Sequence, residues 1–181
     1  MKIFVVSDTH FGHEKSLTFQ NSVGRFRSIE DKDRFIIANW NSVVRDDDVV
    51  YHLGDVFLGG SKRAQRILRC LNGHKILVRG NHDAKSDNWY LNAGFSEVHR
   101  IIWLTSPTHP QTHRYVFTHV PLPYVQLQAI EQLGFIVKNY HGHLHAATDR
   151  AFTGNDVWDF PDRYFNASVE ANGYTPTPIY L

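Results

Sequence analysis

Three short apolar runs, Ile3-Phe4-Val5-Val6, Val49-Val50-Tyr51-His52-Leu53 and Ile76-Leu77-Val78, constrain this chain more than any other feature. Strands apolar on both faces must be covered on both faces, which is the condition of a parallel sheet in an α/β protein. Helical patterns separate them. Ser28-Ile29-Glu30-Asp31 is a capping-box start to a helix that carries Phe35, Ile36, Trp40 and Val43 or Val44 on one face. Residues 61–71 place Ala64, Ile67, Leu68 and Leu71 on one side and Lys62, Arg63, Arg66 and Arg69 on the other. A strand, loop and helix unit repeated in this way predicts a parallel, doubly covered sheet. The pattern then changes. A short helix over 86–92 precedes strands over 97–104 and 114–118, read as a hairpin around the Pro-containing loop 106–112. A helix over 126–133 ends at Gly134, a strand spans 135–139, residues 146–163 show no periodicity, and a last strand spans 164–169 ahead of the Pro-containing tail.

Polar clusters stand where these strands run out: Asp8-Thr9-His10, Gly54-Asp55, Gly80-Asn81-His82-Asp83, His119, and Gly142-His143-Leu144-His145. A sheet gathers such strand ends along one edge. Extended residues two apart share a face, so Asp8 and His10 are expected to grip one ion together, and His143 and His145 share a face likewise. Asp55 is the candidate bridging carboxylate, with Gly54 letting the backbone turn tightly beside it. His13 reaches toward the same pocket. Carboxylate, imidazole and amide oxygen without cysteine suit manganese, iron, zinc, cobalt or nickel rather than a thiolate zinc site, and seven ligands with one shared make two metals the natural count. His82 offers an imidazole for proton transfer and Asp83 a carboxylate to hold it in one tautomer. Asp46-Asp47-Asp48 reads as a solvated turn, the basic helix face as a solvated face, and His74, His99, His109 and His113 as surface residues. His52 and His141 adjoin the ligand-bearing loops as supporting partners.

Length and charge limit the alternatives. A chain of 181 residues predicts one domain over 1–181, and 19 Lys and Arg against 18 Asp and Glu give a net charge of +1, too weak a field to argue for a nucleic-acid or membrane partner. With no signal peptide and no bilayer-spanning stretch, a cytoplasmic protein is expected. The one cysteine, Cys70, fits a reducing compartment and reads as a small buried apolar residue.

Taken in order, Asp8-x-His10, Gly54-Asp55, Gly80-Asn81-His82-Asp83, His119 and Gly142-His143-x-His145 resemble the calcineurin-like metallophosphoesterase superfamily, in the small single-domain form found in bacteria and their phages. The resemblance covers nearly the whole chain and implies a four-layer αββα sandwich of two mixed sheets flanked by helices. It implies that Asp8, His10 and His145 hold one divalent ion, that Asn81, His119 and His143 hold the other, and that Asp55 bridges. Manganese is expected first, with iron, zinc, nickel or cobalt as alternatives. His82 would stand over the pair as proton donor or transition-state stabiliser, with Asp83 orienting it.

The implied activity is that of a phosphatase or phosphodiesterase, hydrolysing phosphate mono- or diesters, nucleotides included, by a metal-bridging hydroxide. Two divalent ions against two carboxylates leave an excess of about two positive charges, matched to a phosphoryl group. The Asp-Arg-Gly of the protein Ser/Thr phosphatases is missing, since Val56-Phe57-Leu58 follows Gly54-Asp55. The expected partner is therefore a small phosphorylated substrate, chosen by the loops at 11–27, 105–112, 120–125 and 146–163. A nuclease using the Arg-rich helix face with Phe11 or Trp158, and a noncatalytic protein-binding scaffold, are the alternatives. A scaffold is expected to have lost ligands, and here every one is present.

Overall fold

Alternation in the first strand decides the layering. In β1 (Ile3–Val6), Phe4 and Val6 pack to one side and Val5 to the other, and none of the three is more than 2% exposed. The computed structural model describes residues 1–19, 22–146 and 156–181. Beside β1 lie β2 (Val49–His52), β3 (His74–Val78) and β4 (Phe95–His99), all parallel. A second sheet takes β5 (Ile102–Thr105), β6 (His113–Phe117), β7 (Ile136–His141) and β8 (Tyr164–Asn166) in that order, antiparallel between the first two and parallel thereafter. The last strand, β9 (Thr177–Ile179), returns antiparallel to β1, so both sheets are mixed.

Helices α1 (Ile29–Val43), α2 (Ser61–Cys70) and α3 (Asp87–Ala93) cover the outer face of the first sheet through Ile36, Trp40, Leu68 and Tyr90. Val5, Leu53, Phe117 and Tyr140 fill the space between the sheets. Outside the second sheet, α4 (Tyr124–Glu131) sets Leu127 against Val116 and Val137. These layers are the expected αββα sandwich. The N-cap of α1 is as read, with the Ser28 hydroxyl accepting from the Asp31 amide. No helix among the described residues is long and apolar enough to cross a membrane.

Several local expectations are corrected. The run at 97–104 is two strands in two sheets, crossing over at Arg100 and Ile101, because an unbroken β pattern carries no mark of the point at which a chain changes sheets. Its second part does form the hairpin with β6. The Pro-containing tail, to which no strand was assigned, carries one: β9 pairs with β1 at the sheet edge, where Pro178 is spared a ladder donor it does not have. Asp48 is buried rather than solvated, its carboxylate accepting from the Lys2 and Arg45 amides at 2.6 and 2.9 Å. Cys70 is exposed in the last turn of α2, outside that helix's apolar face. Part of the stretch expected to be aperiodic, 147–155, lies outside the described residues.

Candidate metal centre

The polar loops after β1, β2, β3, β6 and β7 are pulled together by their backbones before any side chain is considered. The Asp8 amide donates to Gly54 O at 2.9 Å, the His10 amide to Asp55 O at 3.1 Å, and the Gly142 amide to His119 O at 2.8 Å. Asp8, His10, Asp55, His143 and His145 all have positive φ, between 44° and 70°. Left-handed backbone is uncommon outside glycine, though Asp and His tolerate it better than most, and here five of the seven expected ligands adopt it. The supposed extended geometry is therefore corrected. Asp8 and His10 converge because the chain coils, and His143 and His145 do not share a face: one joins each of two clusters.

In the first cluster Asp8 Oδ1 lies 3.9 Å from His10 Nε2 and 3.8 Å from His145 Nε2, and the two imidazoles stack with centroids 5.1 Å apart. In the second, Asn81 Oδ1 lies 2.9 Å from His119 Nε2 and 3.1 Å from His143 Nδ1, and the two ring nitrogens are 3.3 Å apart. Asp55 Oδ2 stands between, 3.7 Å from His10 Nε2 and 3.4 Å from His119 Nε2. All seven residues are thus brought together.

Unsatisfied atoms show that a cation fits. Asp8 Oδ1 and both ring nitrogens of His10 are buried with no hydrogen-bond partner, a costly state unless something else coordinates them. The carbonyl of Leu53 accepts from His119 Nδ1 at 2.7 Å, which leaves Nε2 to face the acceptors Asn81 Oδ1 and Asp55 Oδ2. A proton or a cation resolves that crowding. Burial pulls the His119 pKa down, but contact with Asp55 and the charge of Asp8 outweigh it and raise it. Burial holds His10 neutral, its pKa pushed down to about 2, and neutral imidazole is the ligating form. Asp55 is driven upward by burial, yet the His119 contact and the His82 amide keep it at about 2. Burial raises Asp8 in spite of His145 and His119.

Two close approaches explain the glycines. A Cβ on Gly80 would sit 2.2 Å from Asp55 Oδ1, and one on Gly142 would sit 1.9 Å from Ser7 Oγ. Asp83 departs from expectation: its carboxylate makes no bond to the His82 ring. Oδ2 accepts from the Asp55 and Gly80 amides, both at 2.8 Å, and Oδ1 from the Val56 amide at 3.1 Å and the Tyr90 hydroxyl at 3.2 Å. Backbone amides are fixed donors, so they claim the carboxylate. His82 itself is exposed, with its amide on Asp55 Oδ1 at 2.9 Å and its ring centroid 5.8 Å from that of His10.

His13 does reach the pocket, its ring 5.3 Å from that of His10. His52 links Thr9 Oγ1 at 3.0 Å to the Gly54 amide at 3.2 Å, and His141 donates to Gly142 O at 2.9 Å. Sequence reading missed Ser168, which donates to Asp8 Oδ2 at 2.8 Å, and the pair Lys32 and Glu170 behind His145. Lys32 left one legible trace: it is a charge at a core-facing position of α1, between Ile29 and Ile36.

These features define a class, the two-sheet α/β sandwich with carboxylates and imidazoles that could hold metal gathered at its strand ends. Within that class the profile of the calcineurin-like phosphoesterases matches residues 1–164, and the chain belongs to that family. It is 32% identical over 187 residues to the uncharacterized protein MJ1445 of Methanocaldococcus jannaschii, a match covering 99% of this chain and 88% of the relative. The Gene 66 protein of Mycobacterium phage L5 is 35% identical over 80 residues, 42% of this chain and 37% of the phage protein. Among solved structures, the protein of unknown function AQ665 from Aquifex aeolicus superimposes with a TM-score of 0.69 at 27% identity, covering 98% of this chain and 95% of that one.

Proposed function

We propose that this chain hydrolyses phosphate mono- or diesters, nucleotides included, with the help of two divalent cations. The observation that carries the reading is the place of Asp55 Oδ2, one carboxylate oxygen facing both clusters at 3.7 and 3.4 Å. Asp8, His10 and His145 would hold one ion, Asn81, His119 and His143 the other, with Asp55 shared. When bound, such ions supply Lewis acidity and an excess of about two positive charges over the two carboxylates, which suits a phosphoryl group.

The protein's own groups do the rest. Asp8, His10 and Asp55 form a dry floor, none more than 2% exposed, so charges there act through little solvent. His82 stands at the open side, its backbone pinned to Asp55, and gives a proton to the leaving oxygen. His13 and Phe19 wall the mouth, the Phe19 ring packing edge-on 4.7 Å from His145. Manganese is the first candidate, followed by iron, zinc, nickel and cobalt.

The test is to strip the protein with chelator, add back each metal singly, and measure ions bound per chain and turnover of p-nitrophenyl phosphate and bis-p-nitrophenyl phosphate. About two ions per chain and metal-dependent hydrolysis of at least one ester are expected. Uptake without turnover would mark a noncatalytic scaffold, and no uptake would end the metal reading.

A further inference from the structure

We infer that Glu170 and Lys32 form a buried, charge-balanced pair whose task is to position His145 as a metal ligand, an inference that rests on the two-cation reading above. Glu170 Oε2 lies 3.0 Å from His145 Nδ1, and Oε1 lies 3.6 Å from Lys32 Nζ. Both charged side chains are 0% exposed. Lys32 also donates to Ser16 Oγ at 2.8 Å, and Ser16 Oγ donates to His13 O at 2.6 Å. Residues 16, 32, 145 and 170 thus meet from four separate segments.

The donor roles are fixed by chemistry. A carboxylate only accepts, so the imidazole donates from Nδ1 and its lone pair is left on Nε2, the nitrogen that faces Asp8 Oδ1 at 3.8 Å. A carboxylate behind a metal-binding imidazole orients the ring, fixes its tautomer and makes it more basic. His145 is held on its faces as well, by the His10 stack on one side and the Phe19 edge. Alone, Glu170 would add a negative charge behind the first cluster and erode the excess that favours phosphate. Lys32 cancels it, so the orientation comes without net charge.

Stability alone does not account for the arrangement. Taking two charges out of water is expensive, and a well-packed apolar pair of similar volume is often as stable or more so. The pair instead lies against the imidazole that needs a fixed tautomer.

The experiment compares manganese titrations of the metal-free parent, Lys32→Met/Glu170→Leu and Lys32→Met/Glu170→Gln, with thermal melting of each. Neither double variant leaves an orphan charge; they differ in whether residue 170 offers an acceptor to Nδ1. The expected result is that the leucine variant melts close to the parent but binds one of its two ions about 10- to 100-fold more weakly. The glutamine variant should recover most of that loss, and the second ion should be unaffected in both. Parent-like binding in both variants, or equal weakening in both, overturns the positioning role. A parent that binds no ions overturns the two-cation reading as well, so the two failures are told apart.

Discussion

His82 and Asp83 are neighbours with opposite environments, and substitutions at the two should separate rate from stability. The His82 side chain stands exposed at the mouth of the site, whereas the Asp83 carboxylate is 3% exposed and ties the loop after β2 to the loop after β3. Its burial raises the pKa even though three amides pull the other way. Removing that carboxylate strands three amides and a hydroxyl, at about 1–3 kcal/mol for each group left without a partner. Asp83→Ala is expected to cost about 4 kcal/mol or more, which lowers Tm by roughly 8–16 °C in a chain of this size. His82→Ala should leave Tm and metal content unchanged and reduce kcat by about 10²–10⁴, the usual contribution of a positioned general acid. Asp55→Asn should release metal. Calorimetry, metal analysis and steady-state rates on the three variants check this, and equal metal loss in His82→Ala and Asp55→Asn would defeat the assigned roles.

The loops at the strand ends are the elements on which the site depends, and the loop after β7 is the most tightly fitted of them. A methyl group on Gly142 would meet Ser7 Oγ at 1.9 Å and Asp8 Oδ2 at 2.5 Å. Something in the first cluster must move. Gly142→Ala is therefore expected to weaken manganese binding by at least about tenfold, since a displaced ligand or partner typically costs that much. Gly60→Ala, where an added Cβ meets nothing within 4 Å, should bind as the parent does; equal titrations for both variants would contradict the fit described. Which residues converge was legible, because each follows an apolar run that predicts a strand and strand ends gather at one sheet edge. How they divide was not legible from spacing: His143 and His145 go to different clusters because both are left-handed, a conformation that residue type permits without dictating. Lys32 and Glu170 escaped notice for another reason. Lys32 belongs to a helix remote in sequence from every strand end, and Glu170 follows a strand end but as a lone carboxylate with no imidazole or second carboxylate beside it; only the packed fold brings the two to His145.

Across the whole molecule, the same burial that shapes the centre makes the metal-free fold sensitive to acid. His10, His52 and His141 are at most 1% exposed, and burial, the largest cause for each, pushes their pKa values from 6.5 down to about 2, about 3 and about 4. Below pH 6.5 the unfolded chain takes up protons at these rings while the native state does not, so stability falls as the pH falls. Three such groups correspond to about 4 kcal/mol per pH unit once fully engaged, against a total stability of about 5–15 kcal/mol. His119 and His145, whose native values are raised, contribute stability that is constant below 6.5 and lost as the pH climbs through those values, so they add no slope on the acid side. Asp8, Asp33 and Asp83 have the opposite sign: raised by burial, they bind protons in the native state above 3.8 and offset part of the loss at the lower end. Melting curves in chelator from pH 7.5 to 4.5 should show Tm falling steadily from about pH 6.5, well above the range where carboxylates titrate. A Tm that stays flat to pH 5 would mean that these imidazoles are not held neutral by the fold.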